Sequence, residues 1–285
     1  MAEPLIRDIS DTARWVAAYR ARETERPDAV FRDPYARALA GERGEQIAAA
    51  LPYNGKNSEW PFVARTYLFD RFVTREVAQG CNLVINLAAG LDTRPYRIDL
   101  PPTLQWVEVD LPEILDYKEG VLAGATPACS LERVRLDLSN HDARCGLFRK
   151  LGGRAAGTRA VVITEGLVIY LMRAEVGALA VDLASAPSFV RWIVDIASPG
   201  LLTMLDETTG DLVRQAGAPY LFAPPEGPGF FTEFGWQPIE VRSLLKAAGA
   251  LKRLPPLYRL LSFLPESSGQ QGSRPWSGVC LLGRE

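Results

Sequence analysis

Histidine is almost missing from this chain: one residue, His141 in "LDLSNHDAR", serves all 285 positions. The four cysteines, Cys81, Cys129, Cys145 and Cys280, are scattered and form no Cys-x-x-Cys pair or Cys/His cluster. These scarcities argue against zinc and against a disulfide framework, so no metal is expected. The thiols read as buried and reduced, as in a cytoplasmic protein. No apolar run approaches the ~18 residues of a membrane span. "MAEPLIRDISDTARW" carries charges too closely spaced for a signal peptide. Excess positive charge is lacking too, with 32 basic against 34 acidic side chains and a net charge of −2, which gives no electrostatic case for nucleic acid. Finally, "NLAAGLDTRPYR" (86–97) turns sharply after an apolar run but lacks the G-x-G-x-x-G of a dinucleotide site. No Tyr-x-x-x-Lys pair accompanies it, which disfavours a nicotinamide oxidoreductase.

What is present is an α/β pattern with enough apolar content, 47 %, for a packed core. The first 80 residues predict helices. "SDTARWVAAYRARE" places Trp15, Ala18 and Tyr19 on one face, with Ser10 or Asp11 as N-cap. "FRDPYARALAG" has Asp33 at a cap, Pro34 at the first helical position and Gly41 past the end. "FVARTYLFDRFVTREVAQG" turns Val63, Tyr67, Phe69, Phe72 and Val73 towards a core and closes at Gly80. Strands are then expected at 83–87, 104–110, 132–138, 159–166 and 188–198, separated by helical patterns. "GLVIYL" is expected to begin one such helix, carrying Tyr170. This alternation predicts a mostly parallel, doubly wound sheet. Residues 201–235 read as a lid-like insertion with a short helix, and "WQPIEV" and "SGVCLLGRE" supply two last strands within 236–285. The stretch "PPLYRLLSFLPESSGQQGSRPW" between them is expected to be partly mobile. The whole reads as one domain: a helical extension (1–80), a cofactor-binding core (81–200), the insertion and the final strands.

Ligands of such sheets bind beyond the carboxyl ends of the strands. The residues expected there are Ala88 to Gly90, Asp110, Asp137 and Glu165. Small residues let the backbone turn close to a ligand. Asp92 stands where a pyrophosphate would sit and would repel it. It suits a ligand with an ammonium and no phosphate, as in S-adenosylmethionine. Asp110 follows Gly90 by 20 residues, the spacing of a carboxylate that accepts hydrogen bonds from ribose. Asp137 and Leu138 are placed to bind and pack an adenine.

The motifs "TARWVAAYRARETERPDAVFRDPYA", "NLAAGLDTRPYR", "VEVDLPEILDYK" and "TEGLVIYL", spread over about residues 10–245, resemble the leucine carboxyl methyltransferase family, in particular its bacterial and polyketide O-methyltransferase branch. The resemblance implies a class I (Rossmann-like) methyltransferase fold: a mostly parallel seven-stranded sheet with helices on both faces and an N-terminal helical cap. It implies S-adenosyl-L-methionine as cofactor. Carried over by position, Arg65 clamps the methionine carboxylate, and Arg32 is a basic cofactor-site residue. Ala88, Gly90 and Asp92 line the loop, Asp110 holds the ribose, and Asp137 and Leu138 hold the adenine. Glu165 sits at the methionine end and Tyr170 at the border with the acceptor. One departure is clear: the family usually has glycine where this chain has Ala88, so a methyl is expected to crowd the cofactor.

An acceptor carboxylate with a pKa near ~4 is already ionised and needs no base. A phenol near ~10 does. The lone histidine, read as an exposed loop residue on the adenine side, favours a carboxylate acceptor; Glu165 or Tyr170 could assist a hydroxyl. Arg97 reads as structural, paired with Asp92 or Asp110. The aromatic residues Phe222, Phe230, Phe231 and Trp236 are expected to shape the acceptor site. The expected partner is a small or medium hydrophobic acid, with the chain a monomer or homodimer. The rivals are methyl transfer to a phenol or amine, a nicotinamide oxidoreductase, and an inert protein retaining the cofactor pocket.

Overall fold

In "RAVVIT" Ala160 and Val162 turn to one face while Val161 and Ile163 turn to the other, and all four are fully buried. A strand apolar on both faces must be covered on both faces, as in parallel sheets. The computed structural model describes residues 6, 9–50, 59–155, 157–263 and 272–284, without the side chains at 9, 10 and 257. Its strands are β1 (Cys81–Leu87), β2 (Gln105–Asp110), β3 (Ser130–Arg135), β4 (Arg159–Thr164), β5 (Phe189–Ala197), β6 (Gln237–Ser243) and β7 (Ser277–Gly283). They form one sheet in the order β3-β2-β1-β4-β5-β7-β6. Pairs among β1 to β5 are parallel, and β7 runs antiparallel to both neighbours. This is the expected class I architecture, with its order reversing at β1 and β4.

The helices are α1 (Ile9–Thr24), α2 (Ala36–Ala50), α3 (Trp60–Ala78), α4 (Arg94–Arg97), α5 (Pro112–Val121), α6 (His141–Arg154), α7 (Arg173–Ala184), α8 (Pro199–Gln215), α9 (Leu244–Ala250) and α10 (Pro256–Arg259). Phe148 and Leu151 of α6 and Val176 and Leu183 of α7 cover one face of the sheet. Phe69, Phe72 and Val73 of α3 and Ala248 of α9 cover the other. A third core joins Trp15, Ala18 and Tyr19 of α1 to Leu39 of α2 and Leu115 of α5. The expected apolar faces of α1 and α3 are therefore the buried ones, with Tyr67 only partly covered. No helix among the described residues is long and apolar enough to cross a membrane.

Six local expectations need correction. Helix α2 begins at Ala36, so Asp33 and Pro34 stand in the turn before it rather than at the cap and the first helical position. Helix α1 begins at Ile9, so Ser10 and Asp11 lie in its first turn rather than at the cap; Asp11 pairs with Arg43 at 2.9 Å, and the Ser10 side chain lies outside the described residues. Gly41 is a break rather than an end: its φ of +58° kinks α2, which continues to Ala50. Strand β3 stops at Arg135, leaving Asp137 and Leu138 in the following loop. Tyr170 closes a single 3₁₀ turn, Val168–Tyr170, because α7 starts only at Arg173, where Glu175 accepts from the Met172 N–H at 2.7 Å. The short helix expected in the insertion is α8, 17 residues long and capped by Ser198. Of the stretch 255–276 expected to be partly mobile, residues 264–271 lie outside the described residues.

One buried charge cluster braces β2 against the edge strand β3. Glu108 on β2 accepts from Lys118 Nζ of α5 at 2.7 Å and from Arg133 Nε of β3 at 2.9 Å, and the Lys118 and Glu108 side chains are fully buried. Lys118→Ala would leave Glu108 short of one cation inside the protein. It should lower unfolding free energy by about 3 kcal/mol, measured by urea denaturation.

Candidate active site

The loop after β1 is set by backbone geometry that side chains resist. Ala88 has φ +51° and Gly90 φ +48°. Gly90 N–H donates to Asp110 Oδ2 at 2.6 Å, and Leu111 N–H donates to Oδ1 at 2.8 Å. Asp110 thus pins the turn at the end of β2, and each oxygen keeps one lone-pair site for a ligand. Burial pushes its carboxyl above the usual range, against the two N–H bonds. The turn opens on a cavity of about 1210 Å³, walled by residues from α1, α3 and the carboxyl ends of β1 to β5. That exceeds the ~300–1,000 Å³ of a site for one small ligand and suits two ligands side by side.

Beside the loop lies a lattice of ions. Arg94, 2 % exposed, donates from Nε to Asp70 at 2.7 Å and from Nη1 to Asp92 at 2.8 Å, and its Nη2 stands 2.8 Å from Glu165. Arg65 bridges Glu165 and Asp195, both at 3.2 Å. Arg97 holds Asp70 at 2.7 Å. Arg20 holds Asp33 at 2.8 Å and the Leu91 carbonyl at 2.6 Å. Asp195 also accepts from the Gly166 N–H at 2.7 Å, and burial pushes its carboxyl upward. Here four guanidiniums face five carboxylates, an imbalance that favours a ligand with positive charge. Among the described residues, the buried donors Trp15 Nε1 and Thr66 Oγ1 in the cavity wall have no hydrogen-bond partner. Burying such groups is costly unless a ligand or water satisfies them.

The far end of the cavity is apolar. Leu201, Met204, Leu205 and Thr209 lie at helical spacing on α8, and Tyr220, Leu245, Tyr258, Leu261 and Trp276 complete the wall. Tyr170 stacks on Tyr220 with ring centroids 5.8 Å apart. Burial, then the neighbouring Tyr220, pushes the Tyr170 phenol well above its ordinary range, so it remains a neutral hydroxyl.

Of the residues named from sequence, Arg65, Ala88, Gly90, Asp92, Asp110, Asp137, Leu138, Glu165 and Tyr170 all line this one cavity. Arg32 does not: it is exposed, and its guanidinium donates to the Thr24 carbonyl at 2.8 Å. The basic residue of that region in the wall is Arg20, which α1 carries inward. Asp92 is not a free carboxylate awaiting an ammonium, because Arg94 and the Asn86 amide, at 2.7 Å, already hold it. Arg97 is structural as expected, but its partner is Asp70 rather than Asp92 or Asp110. Phe222, Phe230, Phe231 and Trp236 do not shape the cavity; they pack edge to face with each other and Trp192 in the core. His141 is exposed as expected but opens α6 instead of lying in a loop, and it meets Cys145 at 3.5 Å. Cysteine and histidine therefore do cluster; their H-x-x-x-C spacing was the available signal. Cys145 is also only half-buried, unlike the other three thiols. Arg20, Asp70 and Asp195 carry no sequence signal of a site, because each lies in a stretch whose pattern reads only as helix or strand.

A model of the leucine carboxyl methyltransferase family matches residues 13–184. A protein of Mycobacteroides abscessus, assigned as an S-adenosyl-L-methionine-dependent methyltransferase, is 32 % identical over 217 residues, which cover 73 % of this chain and 66 % of that protein. One of Mycobacterium bovis BCG with the same assignment is 37 % identical over 176 residues, 57 % of each chain. The chain thus spans under two thirds of the length of these relatives. Among solved structures, a DUF574 family protein of Streptomyces avermitilis superposes with a TM-score of 0.62 at 14 % identity, covering 96 % of this chain and 97 % of its own. A protein of Thermobifida fusca assigned as a methyltransferase gives 0.58 at 16 %, covering 99 % and 96 %. Both likenesses concern the fold.

The left-handed backbone at Ala88 costs an L-residue about 1 kcal/mol. Ala88→Gly removes that strain and adds unfolded-state entropy of similar size. It should leave stability within about 0.5 kcal/mol of the parent or above it. Ala89→Gly, at a buried residue without positive φ, should cost roughly 1 kcal/mol. Chemical denaturation of both variants checks this. Arg94 beside Asp92 holds that carboxyl, against its burial, at about 2 instead of 3.8. A depressed acid contributes stability above its unfolded pKa and loses it as pH falls through the folded value. Roughly 2 kcal/mol should therefore vanish between about pH 4 and pH 2. The stability gap between the parent and Asp92→Asn should close over that window in urea melts.

Proposed function

Because the chain belongs to the leucine carboxyl methyltransferase family, we propose that it transfers a methyl group from S-adenosylmethionine to the carboxylate of a small or medium hydrophobic acid, polyketide-like or aromatic. Bound there, the cofactor supplies an electrophilic methyl on a sulfonium. The chain's own residues suit it. Asp110 offers two oxygens for ribose hydroxyls. Asp137, exposed in the loop after β3, and the half-buried Leu138 flank an adenine. Arg65, at the β4 and β5 ends, offers a cation for the amino-acid carboxylate, and the surplus of carboxylates balances the ammonium and sulfonium. The absence of a glycine-rich phosphate cradle fits a cofactor without phosphate.

The observation that carries the choice of acceptor is that the two carboxylates at the β4 and β5 ends are already committed to guanidiniums. Glu165 is held by Arg65 and Arg94, and Asp195 by Arg65. If either took up a proton, a buried guanidinium would lose a partner. Tyr170 is a neutral phenol and can only donate or orient. A carboxylate arrives ionised, so the protein need only align it and exclude water. The apolar wall of α8, Tyr220 and Trp276 would hold the acid's body and Tyr170 would stand at the border of the two ligands.

Titration calorimetry should show binding of S-adenosylhomocysteine and none of NAD; the reverse would sink the reading. Asp110→Ala should weaken the homocysteine analogue by roughly 10- to 100-fold, the worth of one or two lost hydrogen bonds to a charged group. Labelled methyl should pass to members of a panel of aromatic and polyketide-like acids. Tyr170→Phe should keep that transfer within about threefold of the parent, whereas a base or acid role would cost ~10²-fold or more.

A further inference from the structure

On α6, His141 and Cys145 are four residues apart and so share a helix face. Asp182 of α7 meets them there. His141 Nε2 lies 3.5 Å from Cys145 Sγ and 3.7 Å from Asp182 Oδ1, and the three atoms fall within 4.8 Å of one another. A tetrahedral ion with bonds of ~2.0–2.3 Å holds its ligand atoms roughly 3.3–3.7 Å apart. The two distances from His141 Nε2 are therefore those of coordination edges.

The surroundings orient each ligand. Arg144 takes Asp182 Oδ2 from Nη2 at 2.5 Å and from Nε at 2.9 Å, which leaves Oδ1 directed at the histidine. Arg144 is itself fixed by the Leu138 carbonyl at 2.7 Å. The other ring nitrogen, His141 Nδ1, stands 3.5 Å from the Asp142 carboxylate, which favours the tautomer with Nε2 free. A carboxylate behind the histidine and a donor behind the carboxylate are the usual outer partners of metal ligands. The histidine side chain is 64 % exposed, so the fourth position opens to solvent.

We propose that His141, Cys145 and Asp182 form a binding site for a borderline-soft divalent ion, zinc foremost. Thiolate and imidazole select such an ion over magnesium or calcium. On binding, the Cys145 S–H bond breaks, a sulfur–metal bond forms, and the proton leaves to solvent. The methyl-transfer reading uses none of the three ligands, so the two stand or fall separately.

Cys81, Cys129 and Cys280 are buried, so a thiol-reactive disulfide dye should label Cys145 first in the native protein. Saturating zinc chloride should slow that labelling at least tenfold, while magnesium chloride should leave it unchanged. His141→Ala should still label quickly but lose the protection. Cobalt(II) should give a thiolate-to-metal absorption band that Cys145→Ser abolishes. Labelling indifferent to zinc, equal protection by magnesium, or equal protection of the His141→Ala protein would each overturn the site.

Discussion

The Arg94 guanidinium is the point at which the separate parts of the site are tied. It reaches Asp70 on α3, Asp92 in the loop after β1, and Glu165 at the end of β4. A planar fork of five donors spreads over three carboxylates on different elements at once, where the compact ammonium of a lysine would have to draw them all to one point. Through Glu165 the ties pass to Arg65 and Asp195 on β5, and through Asp70 to Arg97. The helical extension, the loop after β1 and two central strands are thus held in one charged lattice beneath the cavity. Such a lattice is costly to bury, and it persists because nearly every charge in it has a fixed partner.

That lattice also limits the chemistry. Groups already committed to one another, as Glu165 and Asp195 are to Arg65 and Arg94, cannot easily exchange protons with a substrate. Two surfaces of different character meet at Tyr170. On one side are the carboxylates and the pinned loop, and on the other is the apolar wall from α8 and the C-terminal segments. Ala88 fits this picture differently than its side chain suggests. Its peculiarity is a left-handed backbone in which a methyl is tolerated, at a strain of about 1 kcal/mol.

Much of this was legible in local patterns. Runs such as Val161 to Ile163 announce strands buried on both faces, and the small residues before Asp92 announce a turn near a ligand. Carboxylates at successive strand ends gather into one cavity because parallel strands all end on the same side. Where reading failed, the missing quantity was direction. Arg32 and Arg20 are both basic residues near the same motif, yet only the helix carrying Arg20 aims it inward. The aromatic cluster around Phe231 looks, in sequence, the same whether it lines a cavity or fills a core. Asp92 looks free until Arg94, two residues on, folds back onto it.

The sequence by itself determined the layered α/β architecture, the position of the tight loop after β1 and the spacing from Gly90 to Asp110. These follow from periodicity and from short-range geometry, which neighbouring residues set among themselves. Only the tertiary structure decided which charges pair, because Arg65 and Asp195 are 130 positions apart and ion pairing depends on distance in space. It likewise decided that α8 and the segment ahead of β7 wall the apolar end of the cavity, since which face of a helix meets a void depends on what packs behind it.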